Sequence, residues 1–254
     1  MDWYSRIPGF PFLLTGMLDV KDLRLGIPWG DLRQRPRSDT CEQVATLFSL
    51  NVGLPRPIET PSGTVMTGIF KVPTDKRLRV LQQHIDGDGQ ADLSAHGGDH
   101  KAVYGYPHEH YATWSDELGR EDLTPGQFGE NLTTEGLLET DVGIGDVFRV
   151  GSATLQVSQP RSPCFKLGIR MGDPKFVRTF LRSGRPGFYF RVVEKGSVAA
   201  GDTLERIEEG PTGITVYELW DLSFGRADDA ERRALAATIP TLGPEWTTAL
   251  ERRG

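Results

Sequence analysis

Cys164 is the residue whose surroundings most invite chemistry. It lies in Gln159-Pro-Arg-Ser-Pro-Cys-Phe-Lys-Leu-Gly-Ile-Arg170, a proline-bracketed stretch that also carries Arg161, Lys166 and Arg170. Cations at that distance favour the thiolate, the form of cysteine that attacks electrophiles and ligates metals. The competing reading is a buried structural thiol, the usual fate of a lone cysteine. The chain has one other cysteine, Cys41, and no CxxC, so a zinc ribbon and a thioredoxin-type centre are excluded. All the histidines cluster as His84, His96, His100, His108 and His110, which suggests a metal site. Their spacing matches neither HExxH nor a zinc-finger template, so solvated surface imidazoles are the expectation. His96 differs from the rest because Gly97 and Gly98 follow it and let backbone approach a ligand closely. Lys101 then stands at the mouth of a strand.

Two further acidic motifs are weaker. Asp86-Gly-Asp-Gly-Gln-Ala-Asp92 resembles the start of a calcium loop, but Gly97 occupies the position that needs a carboxylate. Turn glycines with solvated aspartates explain it better. In Phe128-Gly-Glu-Asn-Leu132, Glu130 could hold a cation or a ring nitrogen, or could cap the turn. No GxSxG, P-loop or GxGxxG occurs, so hydrolase and nucleotide-binding readings have no support.

The elements that must position these residues are mostly strands. Between Val65 and Ile207, short apolar runs are bounded by Gly, Pro, Asn and Asp, among them Leu78 to Leu81, Ala102 to Tyr106 and Phe188 to Val193. Asp146 to Val157 reads as a hairpin turning at Gly151-Ser152. Helices are expected near Glu109 to Leu118 and Lys175 to Leu181, the second with Pro174 at its first position. The density of strands argues a mainly β, α+β barrel or sandwich rather than βαβ units. The tail changes period. Thr215 and Glu218 have capping-box spacing ahead of Val216, Leu219 and Trp220, and Gly225 can end that helix. Two more helices follow, from Asp228 to Ala237 and from Pro244 through Trp246 and Leu250. The resulting domain plan is 1–43 as an unpatterned extension, 44–211 as a β domain and 212–254 as a three-helix appendage.

Composition supports this plan. The 254 residues are 37% hydrophobic and 25% charged with a net charge of −6, as expected of a soluble, cytoplasmic globular protein. The acidic balance gives no reason to expect a nucleic acid polymer as partner, and no apolar run is long enough for a membrane helix. Pro8, Gly9 and Pro11 interrupt the apolar patch from Ile7 to Leu18, which argues against a signal peptide. Patterning begins abruptly at Val44, so translation starting at that valine codon is a further expectation.

Three islands in this order resemble the MOSC domain, named for the carboxy-terminal domain of molybdenum cofactor sulfurase. They are His96-Gly-Gly-Asp-His-Lys-Ala-Val-Tyr104, Phe128-Gly-Glu-Asn-Leu-Thr-Thr-Glu-Gly136 and Gln159-Pro-Arg-Ser-Pro-Cys-Phe-Lys-Leu167. Ser49-Leu-Asn-Val-Gly53, Gly87 to Asp92, Arg185-Pro-Gly-Phe188 and the helical tail are similar to the bacterial YiiM branch. One departure is Asp99-His100, where that branch usually has proline and aspartate.

The resemblance implies a β-barrel-like fold that binds a molybdopterin-type molybdenum cofactor, with Cys164 as the metal ligand. It also implies reduction of small N-hydroxylated compounds such as 6-hydroxylaminopurine. A soft thiolate suits a thiophilic metal. Lys101, Arg161, Lys166, Arg170 and Arg185 could meet the cofactor's phosphate and oxo groups, while Gly97, Gly98, Glu130 and the Asn131 amide could meet its pterin. His96 or Lys101 would deliver the proton. With no flavin or nicotinamide motif in the chain, electrons would come from a separate redox protein. A carrier of cofactor, or of sulfur on Cys164, is the alternative, and a metal-free thiol enzyme using Cys164 and His96 is a third reading. The oligomeric state is not fixed by the sequence.

Overall fold

The computed structural model describes residues 45–91, 97–224 and 227–251. The expectations for the amino-terminal extension, Cys41, His96 and Gly225 lie outside those residues. The chain forms β1 (Ala45–Val52), β2 (Arg56–Thr60), β3 (Gly63–Thr67), β4 (Val72–Thr74), β5 (Leu78–Val80) and, after a 3-10 turn at Asp99–Lys101, β6 (Val103–Pro107). There follow α1 (Glu109–Leu118), β7 (Leu132–Glu135), β8 (Val147–Val150), β9 (Ala153–Pro160), α2 (Phe165–Met171) and α3 (Phe176–Ser183). The remainder is β10 (Phe188–Glu194), β11 (Gly196–Val198), β12 (Thr203–Glu208), α4 (Val216–Phe224), α5 (Ala230–Ala237) and α6 (Pro244–Glu251). No helix among the described residues is long and apolar enough to cross a membrane.

The strands run in the order β12-β8-β9-β10-β6-β7-β1, and β1 pairs with β12 to close a seven-stranded barrel. Closure removes the exposed edges that an open sheet of this size would present. Every pairing around the barrel is antiparallel except β6 with β7, where α1 supplies the crossover that a parallel pair requires. Phe148, Leu155, Val157, Phe188 and Phe190 are fully or almost fully buried in the core. β9 is buried along nearly its whole length rather than on alternate residues, because α4 packs against it. Beside the barrel, Trp114 of α1 stacks on Phe180 of α3 and donates its indole N–H to the Tyr106 hydroxyl at 2.7 Å. This satisfies the polar end of a fully buried indole.

Several local expectations hold. β8 and β9 form the hairpin turning at Gly151-Ser152, with Val150 opposite Ala153. α1 spans the expected residues, and the tail folds as three helices. Thr215 Oγ1 accepts from the Glu218 N–H at 3.0 Å, but the Glu218 carboxylate pairs with Arg232 instead of closing the capping box. Pro174 stands two residues ahead of α3 and not at its first position, because Lys175 is the N-cap.

Gly151 adopts φ +56°, and a Cβ there would lie 2.4 Å from both Asp202 Oδ2 and Ser197 O. Gly151→Ala is therefore expected to cost about 1–3 kcal/mol, combining positive-φ strain with a collision against β11 and its loop. Urea unfolding measures this, and a loss below about 0.5 kcal/mol would contradict it.

Candidate active site

One buried carboxylate organises the side of the barrel where the sequence islands meet. Asp88 sits in the tight turn after Ile85, where its N–H donates to Ile85 O at 2.9 Å. Its Oδ1 accepts from the Gly53 N–H at 3.0 Å and pairs with the Lys71 ammonium, while its Oδ2 accepts from Asn131 Nδ2 at 2.9 Å. Asp88 is only 5% exposed, so the expectation of solvated aspartates in this turn fails at Asp88. Asp86 keeps the expected character, pairing with Arg79 at the surface. Burial pulls the Lys71 ammonium below its ordinary range, against the opposing pull of Asp88.

Asn131 carries this arrangement to the barrel. Its Oδ1 accepts from the Tyr104 N–H at 3.1 Å, and its own N–H donates to Tyr104 O at 2.8 Å. Tyr104 belongs to β6 and Asn131 immediately precedes β7, so side chain and backbone together pin the parallel pair. Lys71, Asp88 and Asn131 then line a solvent-open cleft. Gly68, Ile69 and Gly129 bound one part of it, and Lys101, Arg161, Cys164, Lys166 and Tyr189 bound the rest.

Cys164 is a half-buried thiol, in no disulfide among the described residues, immediately before α2, a helix not expected from the sequence. Two prolines ahead of it signalled loop, and seven helical residues are too few to show a period. Arg161 is almost fully buried, and its guanidinium lies over the rings of Tyr104 at 5.0 Å and Phe180 at 5.4 Å. Burial would lower this guanidinium, but Tyr104, Tyr189 and Cys164 more than offset it and hold it above its ordinary value. Its Nη1 is buried with no hydrogen-bond partner among the described residues. A buried charged donor without a partner is costly, and Arg161 is the lining residue that carries one. Burial raises the Tyr189 phenol, which therefore keeps its proton at neutral pH.

The structure brings Cys164, Lys101, Arg161, Lys166 and Asn131 of the sequence-derived set to one cleft and places Gly97, Gly98, Glu130, Arg170 and Arg185 outside its lining, while His96 lies outside the described residues. Glu130 is fully buried, where its carboxylate accepts from the N–H groups of Gly126 and Phe128 and from the hydroxyls of Thr133 and Tyr111. That is the turn-capping geometry, and burial pushes its carboxyl above the ordinary carboxylate range. Arg185 lies over the Trp114 ring at 3.8 Å and pairs with Glu117 at 2.6 Å. Arg170 lies over Phe70 at 5.0 Å, with burial lowering it. Gly97 and Gly98 lead into the Asp99–Lys101 turn, and a Cβ on Gly98 would meet nothing within 4 Å.

The described histidines are half-buried and not solvated as expected. His110 pairs with Glu139 at 2.7 Å, His108 stacks on Phe48, and His100 contacts Thr241 O. No three metal-ligating side chains converge among the described residues. Lys71, Asp88, Tyr104 and Tyr189 are the cleft residues that sequence reasoning missed.

Comparison with known proteins gives a consistent picture. A family model described as the MOSC domain matches residues 92–205. The chain is 46% identical over 208 residues to Uncharacterized protein YflK of Bacillus subtilis, covering 82% of this chain and 94% of that protein. It is 36% identical over 193 residues to Protein YiiM of Escherichia coli, covering 74% and 84% respectively. A protein named Reductase from Gibberella moniliformis is 37% identical over 149 residues, which is 58% of this chain and 26% of that longer protein. The crystal structure of YiiM from Geobacillus stearothermophilus superposes with a TM-score of 0.69 at 32% identity, covering 82% of this chain and 98% of that one.

Asp88→Asn tests the organising role assigned to the buried carboxylate. It leaves the Lys71 ammonium buried without a counter-charge, so a loss of about 3–5 kcal/mol in denaturant unfolding is expected. A loss under about 1 kcal/mol would contradict that role.

Proposed function

The chain belongs to the MOSC domain family, as a YiiM-type member, and from that premise we propose that it is a molybdenum-cofactor-dependent reductase of small N-hydroxylated compounds such as 6-hydroxylaminopurine. The observation that carries the reading is the pairing in one cleft lining of the Cys164 thiol with Arg161, a buried guanidinium whose Nη1 has no hydrogen-bond partner among the described residues. These donors fit the group. A thiolate suits a thiophilic metal, and Arg161 with Lys166 suits a phosphate, to which a guanidinium can offer paired N–H donors. When bound, the cofactor supplies two-electron redox chemistry.

The chain's own residues would do the rest. Cys164 would ligate the metal, Arg161 and Lys166 would hold the phosphate, and the Asn131 amide, already fixed by Asp88 and Tyr104, would present a rigid polar floor. Converting N–OH to N–H and water consumes two electrons and two protons. Lys101 and the protonated Tyr189 phenol both line the cleft and would serve as proton sources. A separate redox protein would deliver the electrons, and the relative named Reductase supports assigning a redox role.

The test is turnover of an N-hydroxylated purine by cofactor-loaded protein with an artificial reductant. Cys164→Ala is expected to lower kcat by at least about 100-fold, the scale of removing a group that acts in the chemical step. Full activity in that variant, or none in the loaded wild type, would overturn the reading. Inactive loaded protein would favour the carrier role instead.

A further inference from the structure

The carboxy-terminal helices reach the cleft through one side chain. Glu245, in the first turn of α6, places Oε1 2.7 Å from Lys101 Nζ. Gln159 Nε2, from β9, donates to the same oxygen at 3.1 Å. The turn carrying Lys101 is tied to the tail a second time, where His100 Nδ1 lies 3.1 Å from Thr241 O. Ser158 Oγ donates to His100 O at 2.6 Å, fixing the same turn to β9.

The contact is close-packed. A Cβ on Gly243 would fall 2.1 Å from Gln159 Oε1 and 2.9 Å from Glu245 Oε2, so a larger residue there would displace the two side chains that meet Lys101's turn. Trp246 anchors the helix against Trp220 and Phe224. Burial would raise the Glu245 carboxyl, yet its bond and charge contact with Lys101 more than offset that and hold it below its ordinary range. The Glu245 carboxyl is therefore ionised at neutral pH, and the two paired side chains are about one-quarter exposed, at 23% and 22%.

We propose that Glu245 is a specificity-determining residue of the cleft: it neutralises Lys101 and so limits how much negative charge a ligand can bring. The proposal rests on reading the cleft as a site for a ligand with an anionic group. Arg161 and Lys166 retain attraction for one phosphate, while the charge of Lys101 is already spent on Glu245. A polyanion must also overcome the nearby carboxylate, a Coulomb cost that is substantial in a partly buried cleft. The substrate class that follows is a neutral base or nucleoside, with nucleoside di- and triphosphates disfavoured.

Calorimetric titration of cofactor-free protein with inorganic phosphate and pyrophosphate, at fixed pH and ionic strength, tests this. Glu245→Gln keeps the side-chain shape and removes the charge. It is expected to tighten pyrophosphate binding about tenfold, and phosphate by less than about threefold. A purely structural role would weaken binding or leave it unchanged. The double variant Lys101→Met with Glu245→Gln restores a neutral pair, and is expected to bind pyrophosphate within about twofold of wild type. Pyrophosphate binding by Glu245→Gln that is no tighter than wild type, including no binding by either, overturns the proposal. So does a double variant about tenfold weaker than wild type, and that result decides even if the single variant does not fold. Turnover of an N-hydroxylated base by loaded protein is a separate readout, so the reductase reading and the role of Glu245 can fail independently.

Discussion

A carboxylate taken out of water must be met by enough donors to replace its hydration, and Asp88 meets that requirement by drawing together four distant parts of the chain. Lys71 brings the counter-charge, Gly53 a backbone N–H and Asn131 an amide, which in turn is locked to Tyr104. Such a pair adds little to net stability compared with an apolar replacement, but breaking it is expensive. Its structural effect is to fix where the loops after β1, before β4 and before β7 converge. Those loops form the floor of the cleft. The floor of the site is therefore set by one buried ion pair that takes part in no proposed chemistry.

Two kinds of polar group meet in the cleft. The floor is internally satisfied, with Asp88, Asn131 and Lys71 spending their hydrogen-bonding capacity on one another. The wall holds the groups with capacity for a ligand: the Arg161 guanidinium with an unpartnered Nη1, the Cys164 thiol and the Lys166 ammonium. A satisfied floor beneath a wall that carries an unpartnered guanidinium nitrogen is a preorganised site, because the ligand need not reorder the supporting groups. The rings of Tyr104 and Phe180 hold the Arg161 guanidinium in place and leave its Nη1 without a hydrogen-bond partner among the described residues. Lys101 is the exception on this wall, since Glu245 already claims it. The helical tail, which looks like an appendage in the sequence, thus bears on the charge of the site.

The sequence made local features legible and left tertiary ones hidden. Gly151 marked the β8–β9 turn because a two-residue hairpin needs positive φ, and residue period marked α1 and the tail helices. α2 was hidden because Pro160 and Pro163 signalled loop and the helix is short. Asp88 sits in an Asp-Gly-Asp-Gly run whose composition reads as a wet turn. Its burial depends on Lys71 and Asn131, which no local window contains. The same holds for Glu245, whose partner is 144 positions away in the chain. The cysteine and arginine of the Gln159 to Arg170 island were legible from residue type and from resemblance to the MOSC domain. Arg170 and Arg185 were misplaced for one reason. Each rests on an aromatic ring outside the cleft, a preference for stacking that charge alone does not reveal.

The central claim is that this cleft holds a molybdenum-containing group. Metal analysis of the wild-type protein, purified from a host that makes the molybdenum cofactor, tests it most directly. The account predicts molybdenum at about one equivalent per chain, as expected for a single cleft with one thiol ligand. Protein that emerges from such a host folded and free of molybdenum would contradict it.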